Sequence, residues 1–205
     1  MASSDRAPYD LIANEWDGVR AENRGRESHY LDLLLETAPQ GSTILDLGCG
    51  SGRPNAVEIA ARGYRVVGVD RSAELLRLAK MHVPEGVWIE ADMTTLRLGE
   101  QFAGVICWDA LFHIERKFVR GILENIFHCL LPGGRVALSC GGSAFDIPAF
   151  TADMFGQTFF YDAWPKDQMI ELVHEVGFEI VLAEMIEEAD GEENKGKLGI
   201  VAVKK

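Results

Sequence analysis

Apolar positions along the chain fall into two rhythms. Tyr9, Ile12, Ala13 and Trp16 recur at i, i+3, i+4 and i+7, the spacing of a helix with one apolar face. Leu31, Leu34 and Leu35 repeat that period in a second helix over about 27–37, which stops before Pro39. Short apolar runs then take over. Ile44–Leu47, Val66–Asp70, Val87–Ile89, Gly104–Trp108 and the end of Leu130–Cys140 read as five strands. Helical stretches at about 54–62, 72–82 and 115–130 separate them, the last expected to bury Phe118, Ile122, Ile126 and Phe127. An irregular segment follows, then a helix from about Pro165 that ends at Gly177. Phe178–Ala183 and Leu198–Val203 finish as two strands joined by a hairpin. Strands alternating with helices imply a parallel sheet, and the closing hairpin reverses the last strand. The expected fold is therefore α/β, a doubly wound and mostly parallel seven-stranded sheet with its last strand antiparallel.

The first strand runs into an unusual turn, ILDLGCGSG, in which Asp46, Gly48, Gly50 and Gly52 give D-x-G-x-G-x-G. Glycine permits a tight turn and lets a ligand approach the backbone. A dinucleotide fingerprint, G-x-G-x-x-G, would need its third glycine where Arg53 stands. The second strand ends in Asp70, 18 residues past Gly52. An acid there can accept from both hydroxyls of a ribose, in nicotinamide enzymes as elsewhere. Ala91-Asp92-Met93 follows the third strand, and LLPGGRVALSC carries a Pro-Gly-Gly turn into the fifth. In open α/β sheets the ligand lies beyond the carboxyl ends of the strands, where Asp46, Asp70, Asp92 and Trp108 all fall.

These four features, in order over about residues 42–140, resemble the class I S-adenosylmethionine-dependent methyltransferases of small molecules. The resemblance implies the Rossmann-like methyltransferase fold and S-adenosyl-L-methionine as cofactor. It implies donor contacts from Asp46, Gly48, Cys49, Gly50 and Gly52 in the loop, and from Asp70 and Arg71 at the ribose. Asp92 would accept from the adenine amino group and the Met93 amide would donate to the ring, with Trp108 packed beside the donor. YDLIANEWDGVR, residues 9–20, looks like the family's lid helix. Tyr9 and Trp16 would cover the donor and Arg20 would pair with its carboxylate, while core packing for Trp16 and a surface position for Arg20 stand beside that reading.

Methyl transfer from a sulfonium asks mainly for positioning, worth on the order of 7–11 kcal/mol, and a general base adds a factor of about 10²–10⁴. His113 is the candidate base, one helical turn beyond Asp109, which is expected to orient it or to contact the donor's amino group. A loop or capping role for His113 is the competing account. Seven aromatic residues fall between Ser143 and Trp164. Phe150, Phe155, Phe159 and Tyr161 there, with Phe112, are expected to line an acceptor pocket, or else to cover the sheet. The N/D-P-P-Y motif of many DNA and protein-glutamine methyltransferases is absent.

With 205 residues and 47% hydrophobic content, one domain over 1–205 is expected, with 1–40 as helical lid and 143–164 as acceptor-side insertion. Cys49, Cys107, Cys129 and Cys140 stand singly, which suits reduced thiols in the cytoplasm. The N-terminus lacks a signal-peptide pattern, no run is long enough to span a membrane, and scattered histidines give no metal site. A net charge of −12 argues against nucleic acid as partner. Part of it clusters at Glu184, Glu187, Glu188, Asp190, Glu192 and Glu193, a solvated hairpin or a patch attracting a cationic substrate. The leading expectation is methyl transfer to a small aromatic or apolar hydroxyl or amine. A donor-binding subunit without transferase activity and a nicotinamide-dependent reductase are the alternatives. Oligomeric state and acceptor atom stay open.

Overall fold

The computed structural model describes residues 7–21, 26–99, 101–189 and 196–205. A short 3₁₀ turn, Pro8–Leu11, leads into α1 (Ala13–Val19), followed by α2 (Arg26–Leu35). Five strands and three helices then alternate except between β3 and β4, running β1 (Thr43–Leu47), α3 (Asn55–Ala61), β2 (Arg65–Asp70), α4 (Ala73–His82), β3 (Val87–Glu90), β4 (Phe102–Cys107), α5 (Arg116–Cys129) and β5 (Leu130–Cys140). The chain continues through β6 (Phe150–Met154), β7 (Gln157–Tyr161), α6 (Lys166–Glu175), β8 (Phe178–Glu187) and β9 (Lys197–Lys204).

The main sheet has seven strands in the order β3-β2-β1-β4-β5-β9-β8. β9 alone runs antiparallel, paired with β5 on one side and β8 on the other. Strand order reverses between β1 and β4, where Ile44 pairs with both Val66 and Gly104, and that switch point places the crevice. Alternation along β1 explains the two layers. Ile44 points into the face covered by Leu31 and Leu34 of α2 and Ile59 of α3, while Leu45 and Leu47 join Ile122, Leu123 and Ile126 of α5 on the other. Gly199 is forced by this packing, since a Cβ there would sit 2.1 Å from the hydroxyl of the buried Tyr30.

α5 is turned by about one residue from the expected phase. It buries Val119, Ile122, Leu123 and Ile126, and leaves Phe118 40% exposed, because the stripe facing β5 starts at Val119. The segment expected to be irregular holds a two-stranded antiparallel hairpin, β6–β7, with Phe150 opposite Tyr161. Phe155 (φ 52°) and Gly156 (φ 74°) close it with two left-handed residues, the backbone of a type I′ turn. Of the acidic cluster, Glu184 accepts from the Tyr30 hydroxyl at 3.1 Å, while Asp190, Glu192 and Glu193 lie outside the described residues. Among the described residues no helix is long and apolar enough to cross a membrane. All four cysteines are buried and unbridged.

Candidate active site

The turn after β1 is tied back to β2, since the Gly48 and Cys49 amides both donate to the Val69 carbonyl, at 2.7 and 3.0 Å. Gly48, Gly50 and Gly52 all take positive φ (79°, 53° and 78°), which L side chains rarely adopt. Asp70 anchors both ends of this corner, accepting from the Gly50 amide at 2.8 Å and the Ser72 amide at 2.9 Å. Burial raises its pKa, against the pull of those amides. Asp46 is 2% exposed, and no described residue hydrogen-bonds its carboxylate. Burial, then the charge of Asp70, pushes it up to about 7, with Arg20 pulling back. Asp92 lies at the open end. Burial works against its charge, but the Thr94 hydroxyl and amide outweigh it and hold the carboxyl below its ordinary range.

The N-terminal segment closes over this rim on three anchors. Asp10 accepts from the Ser72 hydroxyl (2.6 Å) and the Glu74 amide (3.2 Å) at the start of α4. Asp17 meets His82 at 3.0 Å and Arg53 at 3.4 Å. Arg20 reaches Asp109 at 3.0 Å and Glu27 at 3.3 Å. Beneath them lies a cavity of about 180 Å³ that brings together Tyr9, Trp16, Arg20, Asp46, Gly48, Cys49, Gly50, Asp70, Arg71, Asp92, Met93 and Trp108. Gly52 is set apart. It packs under Trp88, Ala56 and Ala79, and so shapes the turn without lining the cavity.

A second cavity, about 550 Å³, opens on the other side of His113 and is lined by Phe112, Phe150, Tyr161, Met154, Glu187 and Lys197 among others. Phe150, Tyr161 and Phe112 form a near-parallel stack along one wall, with centroids 5.3 and 6.1 Å apart. Four side chains, Tyr9, Trp16, Asp109 and His113, belong to both cavities and form the partition between them. Phe159, expected on the acceptor side, is buried against Tyr9 and lines the smaller cavity. Phe155 is at the hairpin tip, 49% exposed and outside both cavities, because the two-residue turn carries it away from the rim.

His113 has its tautomer set by its surroundings. Nδ1 lies 2.9 Å from the Phe160 carbonyl, which can only accept, so Nδ1 carries the hydrogen. Burial lowers its pKa, partly offset by that hydrogen bond and by Asp109, so the neutral ring presents a lone pair at Nε2. The Tyr9 hydroxyl donates to it at 2.9 Å. Burial, with nearby Tyr161, Asp70 and Asp109, holds the Tyr9 phenol far above its ordinary pKa, so it stays protonated.

Asp109 does not orient His113 by a hydrogen bond. Its backbone is left-handed (φ 54°), fixed by its amide donating to the Ser139 hydroxyl at 2.6 Å. Its two carboxylate oxygens are divided between Arg20 (Oδ2) and Lys197 (Oδ1, 2.5 Å). Sequence reasoning missed Lys197, Asp10 and the Phe160 carbonyl. Lys197 stands at the start of a strand like many surface lysines, and a backbone carbonyl 47 residues away leaves no sequence signal.

Residues 44–134 match the family model of a methyltransferase domain. An uncharacterized methyltransferase of Synechocystis sp. is 34% identical over 119 residues, 57% of this chain and 56% of that protein. A ubiquinone biosynthesis O-methyltransferase of Aeromonas salmonicida is 33% identical over 144 residues, 65% of this chain and 59% of that protein. The chain spans roughly half to just under two thirds of the length of the curated relatives it matches. A crystal structure of a TehB-like SAM-dependent methyltransferase from Corynebacterium glutamicum superposes with a TM-score of 0.70, covering 96% of this chain and 97% of that one at 22% identity. That likeness is one of fold.

Proposed function

Because the chain belongs to the class I S-adenosylmethionine-dependent methyltransferase family, we propose that it methylates a small aromatic or apolar acceptor, at a hydroxyl in preference to an amine. The observation that carries this reading is the shared partition: two cavities meet at one wall, and that wall presents the neutral Nε2 of His113.

The smaller cavity suits the family's donor, which supplies a sulfonium-activated methyl group and departs as a neutral thioether. Asp46 is a buried carboxyl without a partner among the described residues, and a cationic ligand would supply one. Gly48 holds the corner tight, since the space where its Cβ would stand is filled by Ala110, 2.5 Å away. In this reading Asp70 accepts from the ribose hydroxyls and Asp92 from the adenine amino group, with the Met93 amide donating to the ring. Arg20 turns to the donor's carboxylate, and Arg71 and Trp108 pack alongside.

The acceptor occupies the larger cavity against the stacked rings of Phe112, Phe150 and Tyr161. Its oxygen would take the methyl group that the bound donor supplies, and His113 Nε2 would take the hydroxyl proton. A half-buried neutral histidine with a fixed tautomer suits an acceptor that arrives with a proton to lose. The Aeromonas salmonicida relative is an O-methyltransferase of ubiquinone biosynthesis, which supports a hydroxyl acceptor. The net charge of −12 supports a small molecule over nucleic acid.

Calorimetry with S-adenosylhomocysteine and with NAD, followed by mass spectrometry of a panel of catechols, phenols and arylamines incubated with S-adenosylmethionine, tests this. The expected result is saturable binding of S-adenosylhomocysteine and mass gain on a phenolic hydroxyl. Binding of NAD in its place overturns the reading, and donor binding with no acceptor methylated across the panel reduces it to a donor-binding subunit.

A further inference from the structure

The lone pair that the proposed chemistry needs is already taken. Tyr9 Oη donates to His113 Nε2 at 2.9 Å, and no other arrangement of protons suits a ring whose Nδ1–H is committed to the Phe160 carbonyl. Tyr9 is held there from several sides. Its ring packs edge-on against Trp16 (5.4 Å), His113 (5.6 Å) and Phe159 (4.7 Å). Its neighbour Asp10 fastens the same turn to Ser72 and Glu74. Tyr9 also lines both cavities, so its phenol stands on the line between them.

Resting on the reading that one cavity takes the donor and the other the acceptor, we propose that the Tyr9 phenol is a placeholder for the acceptor. In the free enzyme it occupies the site on His113 Nε2 where the acceptor's hydroxyl belongs, and acceptor binding exchanges one hydroxyl for the other. The exchange conserves hydrogen bonds, since one O–H donor replaces another at the same lone pair. It also selects for acceptors. An ether, a quinone carbonyl or a thioether brings no O–H to the exchange, and with that ligand covering the half-buried wall Nε2 would be left unpaired, a penalty comparable to a lost hydrogen bond. Until the exchange occurs, the partition stays closed between the donor's methyl group and the larger cavity, keeping water from that path.

The groups facing His113 are few. Among the described residues they are the Phe160 carbonyl on Nδ1, Tyr9 on Nε2, the Asp109 carboxylate acting through space, and the rings of Tyr161 and Phe112, each at 4.8 Å, and of Phe159 at 5.7 Å. Of these, only Tyr9 stabilises the neutral ring by donating to it, so its removal should raise the histidine's pKa.

The test follows His113 by NMR titration of its ring in wild type and Tyr9→Phe, both saturated with S-adenosylhomocysteine, with and without millimolar catechol as the acceptor probe. Without catechol, Tyr9→Phe should titrate at higher pH than wild type. With catechol the two proteins should titrate alike, because the same O–H now sits on Nε2 in both. Catechol should bind the variant about two- to tenfold more tightly, as no internal hydrogen bond has to be given up. The same His113 pKa in both free proteins overturns the placeholder, as does a difference that persists with catechol bound, which would leave Tyr9 on the ring throughout. Weaker catechol binding by Tyr9→Phe, or none, overturns it too. Failure of S-adenosylhomocysteine to bind wild type would instead strike at the donor reading beneath.

Discussion

Replacing Gly48 by alanine probes the tightest point of the glycine-rich corner proposed to hold the donor. Its φ of 79° alone costs an L residue about 1–2 kcal/mol. The new Cβ would also lie 2.5 Å from the Ala110 Cβ and 3.1 Å from the Met93 methyl, where carbon atoms prefer about 3.5–4.0 Å. Met93 can swing aside, but Ala110 is backbone-bound, so the segment after β4 must retreat by about 1 Å. Overpacking of this kind adds about 1–3 kcal/mol, giving a total of about 2–5 kcal/mol. The retreat pulls on Asp109, next in the chain, and through it on Arg20 and Lys197. Gly50→Ala is the matched control. Its φ is also positive, but its Cβ would meet nothing nearer than Trp16 Nε1 at 3.6 Å, so only the backbone cost of about 1–2 kcal/mol applies. Thermal unfolding and calorimetry with S-adenosylhomocysteine on both variants should show Gly48→Ala clearly the more damaged in stability and in affinity. Equal damage, or greater damage at Gly50, would refute the steric argument.

Three further outcomes are expected. Asp70→Ala should weaken S-adenosylhomocysteine binding at least about tenfold, since it removes a charged acceptor whose hydrogen bonds are each worth about 1.5–3 kcal/mol; unchanged affinity in calorimetry would remove Asp70 from the donor site. His113→Ala should lower turnover by about 10²–10⁴ with donor affinity nearly unchanged. Burial places the wild-type acid limb below the ordinary histidine pKa of about 6.5, with rate falling as pH drops through it, and a variant that keeps this limb would clear His113 of the role. Asp46 binds its proton more tightly folded (pKa about 7) than unfolded (about 3.9), so its contribution to stability is present at pH 4 and lost as pH rises through 7. Asp46→Asn should therefore raise the melting temperature more at pH 8 than at pH 5, and an equal shift at both would contradict a raised Asp46 pKa.

Much of the glycine-rich corner proposed to hold the donor was legible because its signals are local. An apolar run with an acid at or one residue before its end marks each of β1 and β2, and the glycines at 48, 50 and 52 announce a left-handed turn. The acceptor side is built from distant pieces. In the β6–β7 hairpin, β6 alternates Phe150, Ala152 and Met154 with Thr151 and Asp153, but β7 ends in three consecutive aromatic residues, Phe159 to Tyr161, which blur its period of two, and the turn has phenylalanine where asparagine or aspartate is usual. That turn is what removes Phe155 from the pocket. Asp109 and His113 invited pairing by their spacing, but the left-handed backbone at Asp109 directs its carboxylate to Arg20 and Lys197, from opposite ends of the chain.

The place of β9 in the sheet has a bearing on how the molecule comes apart. β8 precedes β9 along the chain, yet it bonds to the sheet only through β9, which lies between it and β5. Any opening that frees β9 from β5 therefore releases β8 as well, and takes Lys197 away from Asp109. In amide exchange, β8 should never outlast β9. The β1–β4 pairing beside the glycine turn depends on no such late partner, so the wall of the larger cavity can loosen while the glycine corner keeps its strand pairing.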